Sequence, residues 1–251
     1  MKRFLISLCA VSALLLSLNM WAQQSPKEIL LPRNGNPQVL YWMSNGLASV
    51  NSFMENRQKI SIISPTWYQI DDTGLVAGEP QPAVLKAAHD AHVTLIPLFA
   101  LFNAEKAHHL VNDLHAQDEM NQAFVRECKE HGYAGINFDI EDVMWTDRDQ
   151  LSAMVKRTAE VLHKQGLLVT IDVVPGAPGH PGETAFDHWI FEEWRGGYDL
   201  KALGEAVDLL CLMTYDQSTH WTTPGPVGGW LWTKANLDYA LKVVPPEKLS
   251  L

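Results

Sequence analysis

The chain has 251 residues, enough for one large domain. Its composition is 47% hydrophobic and 19% charged, with a mean hydropathy of −0.09, which excludes a disordered chain, a coiled coil and a polytopic membrane protein. The formal net charge of −10, without any block of basic residues, argues against nucleic acid or an anionic membrane surface as a partner. Neutral sugars fit better, because 9 Trp and 6 Tyr side chains offer flat faces for stacking.

Residues 1–22 are predicted to be a signal peptide. Two basic residues precede an apolar run over residues 4–18, and Ala22 suits the last position before cleavage. An uncleaved membrane anchor is the alternative, although the apolar run is short for a full span. We therefore expect a secreted or periplasmic protein that does not insert into a membrane after cleavage, with residues 23–37 as a polar leader.

From residue 38 onward, apolar β-type runs alternate with helical segments. The predicted strands are Gln38–Met43, Lys59–Pro65, Val93–Leu101, Ala134–Glu141, Leu167–Val174, Val207–Tyr215 and the stub Lys248–Leu251. The predicted helical segments are Gln81–His92, Ala104–His131, which is expected to hold two helices, Asp147–Gln165 and Thr233–Val243. Gly132 and Gly166 each follow a helical run directly before a strand, as helix C-caps do.

This alternation predicts an α/β fold with a parallel sheet. Six strands and the start of a seventh favour a (β/α)8 TIM barrel over residues 38–251, truncated at the start of strand seven. A doubly wound open sheet is the alternative, and the lack of a glycine-rich phosphate loop after the first strand argues against it. Cys128 and Cys211 lie in apolar segments and are expected to be buried thiols. The oligomeric state stays open.

The fourth predicted strand carries an unusual polar face. Side chains alternate along a strand, so Asn137, Asp139 and Glu141 share one face while apolar residues occupy the other. Two carboxylates at neighbouring positions cannot both ionise easily, and one pKa should rise. Glu141 lies at the carboxyl end of the strand, where barrel enzymes hold their chemistry, and is the predicted general acid. The alternative is a solvated edge or a structural hydrogen-bond network.

This strand resembles the signature of glycoside hydrolase family 18, the chitinase family, which reads Asp-Gly-x-Asp-x-Asp-x-Glu. The segment Ala134-Gly135-Ile136-Asn137-Phe138-Asp139-Ile140-Glu141 matches it at Gly135, Asp139 and Glu141 and departs from it at Ala134 and Asn137. Asn at the second of these positions resembles the branch with spore-cortex and other peptidoglycan-directed enzymes.

A second match follows in the sixth predicted strand. Met213-Thr214-Tyr215-Asp216 is similar to the family's Met-x-Tyr-Asp. Residues 223–227 and 239–241 also resemble the peptidoglycan-directed branch. The resemblance covers residues 38–251.

The resemblance implies a retaining hydrolase of N-acetylglucosamine polymers, chitin or peptidoglycan glycan, that uses the substrate's own acetamido group as nucleophile. Glu141 would be the acid and base, Asp139 would orient the acetamide, and Tyr215 would hydrogen-bond its carbonyl. Asn137, Asp216 and Met213 would support the site. No metal or cofactor is implied, and the histidine clusters form no recognised zinc pattern.

Aromatic residues near the predicted strand ends are candidate sugar platforms. Tyr41, Trp67 and Trp145 are the expected substrate-binding residues among them, and ordinary core packing is the alternative for each. Asp172 shares a strand face with Thr170 and could point either into the site or outward. Its role stays open.

Two other functions remain in competition with hydrolysis. A catalytically silent, sugar-binding relative is the first, although the retained Glu141, Asp139 and Tyr215 argue against it. An unrelated barrel lyase or isomerase is the second, and the lack of phosphate or metal motifs disfavours it. The sequence does not separate chitin from peptidoglycan, or endo from exo action.

Overall fold

A computed structural model of the chain describes residues 38–220 and 222–251. The predicted signal peptide and leader lie outside the described residues. The strands are β1 (Leu40–Met43), β2 (Ile62–Pro65), β3 (Tyr68–Ile70), β4 (Val76–Gly78), β5 (Thr94–Leu95), β6 (Leu98–Phe102), β7 (Gly135–Glu141), β8 (Leu168–Val173), β9 (Leu209–Leu212) and β10 (Leu249–Ser250). The α-helices are α1 (Leu47–Asn56), α2 (Pro82–Asp90), α3 (Ala104–Asn112), α4 (Leu114–His131), α5 (Arg148–His163), α6 (Ala185–Ile190), α7 (Leu200–Ala206) and α8 (Trp230–Ala240).

The strands follow one another in chain order around a parallel sheet. One ladder runs β1–β2–β5 and the other runs β10–β9–β8–β7–β6–β3, with β4 antiparallel to β3 at its end. The two ladders are joined at Ala134, whose backbone N–H donates to the Leu95 carbonyl at 2.8 Å and whose carbonyl accepts from Leu168 at 2.8 Å. The order never reverses, so the doubly wound alternative is wrong and the fold is that of a (β/α) barrel.

A contact across the inside of the barrel shows how strongly the sheet curls. The indole Nε1 of Trp42 on β1 donates to Asp172 Oδ2 on β8 at 3.1 Å, although neither ladder pairs these two strands. Only a sheet that curves back on itself brings the first and fifth barrel strands face to face. The side chains between them fill the inside of the barrel, called the lumen below.

The apolar core lies between the strands and the surrounding helices. Phe138 of β7 packs edge-on against Phe124 of α4 at 5.5 Å, and Phe124 packs edge-on against Phe99 of β6 at 4.6 Å. All three rings are fully buried. The outward face of β7 is thus a core face, as the alternation predicts.

Several sequence expectations are confirmed by this architecture. All seven predicted strands are present, and the predicted region Ala104–His131 divides into two helices at Asp113, whose side chain accepts from the backbone of His115 and Ala116. Gly132 and Gly166 adopt left-handed backbone conformations directly after helices, with φ of 71° and 73°. Both cysteines beyond residue 37 are free and buried.

Some elements were not predicted. Helix α1 follows Gly46, an N-cap residue with no side chain to cap it, and contains Ser, Val and Asn, which are weak helix formers, so its pattern gives little signal. Helix α6 does carry a signal, a capping box between Thr184 and Asp187, which sequence reasoning overlooked. None of the helices among the described residues combines the length and apolar character needed to cross a membrane.

Candidate active site

The two predicted catalytic carboxylates lie at the carboxyl end of β7, on its lumen face. Asp139 is level with Ala100 of β6, and Glu141, the last residue of the strand, is level with Phe102. Asp139 is 8% exposed and Glu141 is partly buried at the mouth of the lumen. Asp142 then turns the chain with a φ of 58°, a left-handed conformation that Asp tolerates better than most residues.

The surroundings raise the pKa of both carboxyl groups. Burial raises the pKa of Asp139 to about 8, and the charges of Asp172 and Glu141 add to this effect. Burial also raises the pKa of Glu141 above its ordinary value, with further contributions from Asp142 and Asp216. A carboxyl group at the mouth of the lumen with a raised pKa is suited to general acid chemistry.

Tyr215 reaches the same region from the chain that follows β9. Its side chain is 48% exposed, so its ring is open to a ligand. Burial of the phenol, with the negative charges of Asp172, Asp139 and Glu141, raises its pKa, so the hydroxyl stays protonated and can donate a hydrogen bond.

Met213 and Asp216, from the same motif as Tyr215, have different surroundings. Met213 is buried, and its backbone N–H donates to the Val173 carbonyl at 3.0 Å, which ties the end of β9 to β8. Asp216 is exposed, with a φ of 63°, and acts on the site through its charge on Glu141.

Asn137 lies below Asp139, deep in the lumen. It is 1% exposed, and its amide Nδ2 donates to Asp172 Oδ2 at 2.7 Å. Its carbonyl oxygen accepts from the Thr170 hydroxyl at 2.6 Å. The open question about Asp172 is therefore answered, because its side chain points inward.

The three expected aromatic platforms have different surroundings. Trp145 is 48% exposed and lines a shallow groove with Thr146, Arg148 and Asp149. Tyr41 points away from the lumen, and its hydroxyl donates to the Ser49 carbonyl of α1 at 3.1 Å. Trp67 is 6% exposed and packs against Tyr133, with ring centroids 6.1 Å apart.

These positions correct two of the three expectations. Strand alternation turns Tyr41 outward, and the core covers the indole of Trp67, so neither ring is presented to a sugar. Only Trp145 among the three remains a candidate platform.

Sequence reasoning overlooked the inward role of Trp42. The same alternation that turns Tyr41 toward α1 turns Trp42 toward Asp172, so the signal was present in β1. Among the described residues, no group of three His, Cys, Asp or Glu side chains is placed to hold a metal ion.

Comparison with known proteins places this arrangement in context. The sequence profile described as Glycosyl hydrolases family 18 matches residues 102–251, which include both carboxylates and Tyr215. YvbX of Bacillus subtilis, described as an uncharacterized glycosylase, is 23% identical over 211 residues, 81% of this chain and 59% of the relative. A cortical fragment-lytic enzyme of the same organism is 21% identical over 189 residues, 73% of this chain and 42% of the relative.

The fold is shared with solved chitinases. The crystal structure of a chitinase from Chromobacterium violaceum superposes with a TM-score of 0.73 at 26% sequence identity, and the match covers 84% of this chain and 66% of that one. The chain thus spans about half the length of the two curated relatives and two thirds of the solved chitinase. Because the family profile covers most of the described barrel, the chain belongs to glycosyl hydrolases family 18.

Proposed function

We propose that the protein is an exported glycoside hydrolase that cleaves β-1,4-linked N-acetylglucosamine polymers, either chitin or the glycan strand of peptidoglycan. It would retain the anomeric configuration and use the substrate's acetamido group as the nucleophile. The observation that carries this proposal is the position of Asp139, one step below Glu141 on the same face of the same strand.

Two residues along a strand rise by roughly 6.6–6.8 Å, along one wall of the lumen. Hydrolases with an enzyme nucleophile hold their second carboxyl about 5–5.5 Å from the first, and the two flank the scissile bond. Asp139 lies beneath Glu141 and does not face it across a bound sugar. This position suits a carboxylate that holds a sugar substituent from below, and the nucleophile then comes from the substrate.

The chemistry follows from these positions. Glu141 donates its proton to the glycosidic oxygen as the bond to the anomeric carbon breaks, and the acetamide carbonyl oxygen closes an oxazolinium ring on that carbon. Asp139 accepts a hydrogen bond from the acetamide N–H and offsets the positive charge of the ring, while Tyr215 donates to the acetamide oxygen. Water then attacks the anomeric carbon as the bond from that carbon to the acetamide oxygen breaks, which reopens the ring, and the water gives its proton to Glu141, which restores the acid.

The names of the similar proteins support both candidate polymers. One solved structure of this fold is a chitinase, and one curated relative is a cortical fragment-lytic enzyme. Neither choice of polymer changes the reaction at the bond beside Glu141, because both offer a 2-acetamido sugar.

The test is product analysis by mass spectrometry on glucosamine oligomers of one length that are fully acetylated, partly acetylated or fully deacetylated. We expect cleavage only where an acetylated sugar lies beside Glu141, and competitive inhibition by a thiazoline analogue of the oxazolinium. Equal cleavage of all three oligomers would rule out substrate assistance. Binding without product release would instead identify a silent, sugar-binding protein.

Purified peptidoglycan and chitin, assayed side by side, address the choice of polymer. Export is tested separately by determining the N-terminus of the protein recovered from outside the cytoplasm. Cleavage after Ala22 is the expected result, and an intact N-terminus would contradict it.

A further inference from the structure

Asp172 is a buried carboxylate that the proposed reaction does not use. It lies on β8, is 2% exposed, and its Oδ2 accepts from Asn137 Nδ2 at 2.7 Å and from Trp42 Nε1 at 3.1 Å. The Cys211 thiol of β9 is a further donor to this carboxylate. Its other oxygen, Oδ1, is buried and has no hydrogen-bond partner within the described residues.

Asp139 is the immediate neighbour of Asp172 on the adjacent strand. Asn137 is level with Thr170 and Phe138 with Ile171, so the next step of this parallel register brings Asp139 level with Asp172. Adjacent strands are about 4.8 Å apart, and both side chains point into the lumen. Asp139 Oδ1 is also buried and has no partner in residues 38–220 and 222–251, so each of the two carboxyl groups has one oxygen left unsatisfied by that part of the chain.

No cation compensates this pair within the part of the chain that the structure describes. None of its salt bridges involves either residue. Four titratable groups interact with the pair, and none of them can carry a positive charge: Glu141 of β7, Tyr198, Cys211 of β9 and Tyr215 beyond β9. Two buried carboxylates without a cation cannot both ionise at low cost.

We propose that Asp172 is a positioning residue that shares one proton with Asp139 and accepts it when a substrate acetamide binds. The proton moves from the Asp139 carboxyl to an oxygen of Asp172, and the freed Asp139 oxygen accepts the acetamide N–H. The pair keeps a single negative charge throughout, and no proton has to be released to water. This inference rests on the proposed function for its catalytic consequence, but the shared proton is a property of the free protein.

Burial and mutual repulsion agree with this arrangement. Burial and the charge of Asp172 raise the pKa of Asp139 to about 8. Burial also raises the pKa of Asp172 to about 7, although the hydrogen bonds from Asn137, Trp42 and Cys211 act to lower it. At neutral pH the pair therefore holds a proton. Such a pair titrates in two steps, one below and one above the value that either carboxyl would have alone.

Asp172→Asn should therefore shift the acidic limb of the kcat profile. In the wild type, the singly charged pair persists down to the lower of its two steps, so Asp139 can be an anion at acidic pH. In the variant, Asp139 titrates alone at an intermediate value and becomes neutral earlier as the pH falls. We expect the acidic limb to move to higher pH by about one unit, which is about a tenfold loss of rate on that limb.

A charge swap separates this role from simple packing. Asn137 and Asp172 are in direct contact, so Asn137→Asp combined with Asp172→Asn returns a carboxylate to the same polar cluster from β7. We expect this double variant to recover most of the rate that Asp172→Asn alone loses on the acidic limb. Asp147→Asn is the matched control, because Asp147 is 3% exposed but pairs with His108 outside the lumen, and it should leave the limb in place.

The shared proton is measured without substrate by carbon NMR of carboxyl-labelled aspartate in the folded, full-length protein. We expect Asp139 to titrate at lower pH in Asp172→Asn than in the wild type, with both proteins folded by circular dichroism. An Asp139 titration that does not change would overturn the proposal, as would an acidic limb that Asp172→Asn leaves in place. A wild type that shows the coupled titration but hydrolyses none of the oligomers would overturn the proposed function and leave the shared proton standing.

Discussion

The two faces of strand β7 have opposite chemical character. On the outward face, Phe138 packs against Phe124, and the neighbouring Ile136 and Ile140 are at most 1% exposed. The inward face, formed by the alternate residues, carries Asn137, Asp139 and Glu141 in a lumen where barrels usually place branched aliphatic side chains. One short strand thus separates stability from chemistry by the direction in which each side chain points.

The difference between the faces shows how much folding stability the polar residues of the lumen forgo. Each apolar side chain on the outward face gains roughly 1.5–3 kcal/mol from burial. The inward face gains nothing comparable, because its carboxylates are desolvated and repel one another, as the raised pKa of Asp139 shows. Changes on the two faces should therefore affect different measurements.

The largest effect is expected from Glu141→Gln on the inward face. Gln keeps the shape of the side chain but has no proton to give to the leaving oxygen, and the loss of a general acid costs about 10²–10⁴-fold in kcat. Oligosaccharide binding and the melting temperature should change little. The measurement is steady-state hydrolysis of an acetylated oligomer, with calorimetry of binding. Retention of more than about a tenth of the rate would mean that Glu141 is not the acid.

Phe138→Ala on the outward face should show the opposite pattern. Removing a fully buried phenyl ring costs about 3–5 kcal/mol of unfolding free energy, since the ring leaves a cavity between β7 and α4. The activity of the fraction that remains folded should stay within a few-fold of the wild type. Urea unfolding at one temperature provides the comparison, with the exposed Phe186→Ala as its matched control. Similar midpoints for the two variants would contradict the assignment of the core face.

The sequence predicts the two faces of β7 but not the contacts that the inward face makes across the lumen. Alternation over residues 135–141 was enough to predict both faces of β7, because a strand has only two. The contact between Trp42 and Asp172 was not predictable, since it joins strands that are not neighbours and depends on how strongly the sheet curls. For the same reason, the sequence left Asp172 undecided.

The aromatic platforms show a second limit. Tyr41 and Trp67 lie near strand ends, as predicted, but a position near a strand end does not fix which way a ring points. In β1 the alternation rule would have favoured Trp42 over Tyr41, so that error was avoidable. The burial of Trp67 against Tyr133 depends on packing between segments far apart in the chain, and no local pattern reports it.

The pH dependence of stability should show a smaller effect than Glu141→Gln or Phe138→Ala. The folded pKa of Asp139, about 8, lies above the ordinary value of 3.8, so the folded state binds a proton that the unfolded state releases. The contribution of this residue is fully present below about pH 4 and is lost as the pH rises through about 8. Asp139→Asn removes this dependence. Its melting temperature should exceed that of the wild type by an amount that grows from pH 4.5 to pH 8.5.

Differential scanning calorimetry of both proteins across that range measures the difference. Asp139→Asn should also lose activity. Asp139 would then be a residue that the reaction requires although it lowers the stability of the folded protein. A difference in melting temperature that stays constant with pH would show that Asp139 is not held protonated by its surroundings.

The smallest effect is expected from Trp145→Ala, which tests whether the working surface extends beyond the lumen. Trp145 is 48% exposed beside the end of β7, so its substitution should leave the melting temperature nearly unchanged. A sugar that covers about 50 Å² of the indole gains about 1 kcal/mol at 25 cal/mol per Å², which is about a five- to tenfold rise in KM for long oligomers. The rise should be smaller for the shortest cleavable oligomer, since a short chain does not have to reach the ring. Trp230→Ala serves as the control, because Trp230 is even more exposed and lies on α8. Equal KM values for Trp145→Ala and the wild type on every oligomer length would confine substrate binding to the lumen, and the inward face of β7 would then account for recognition as well as chemistry.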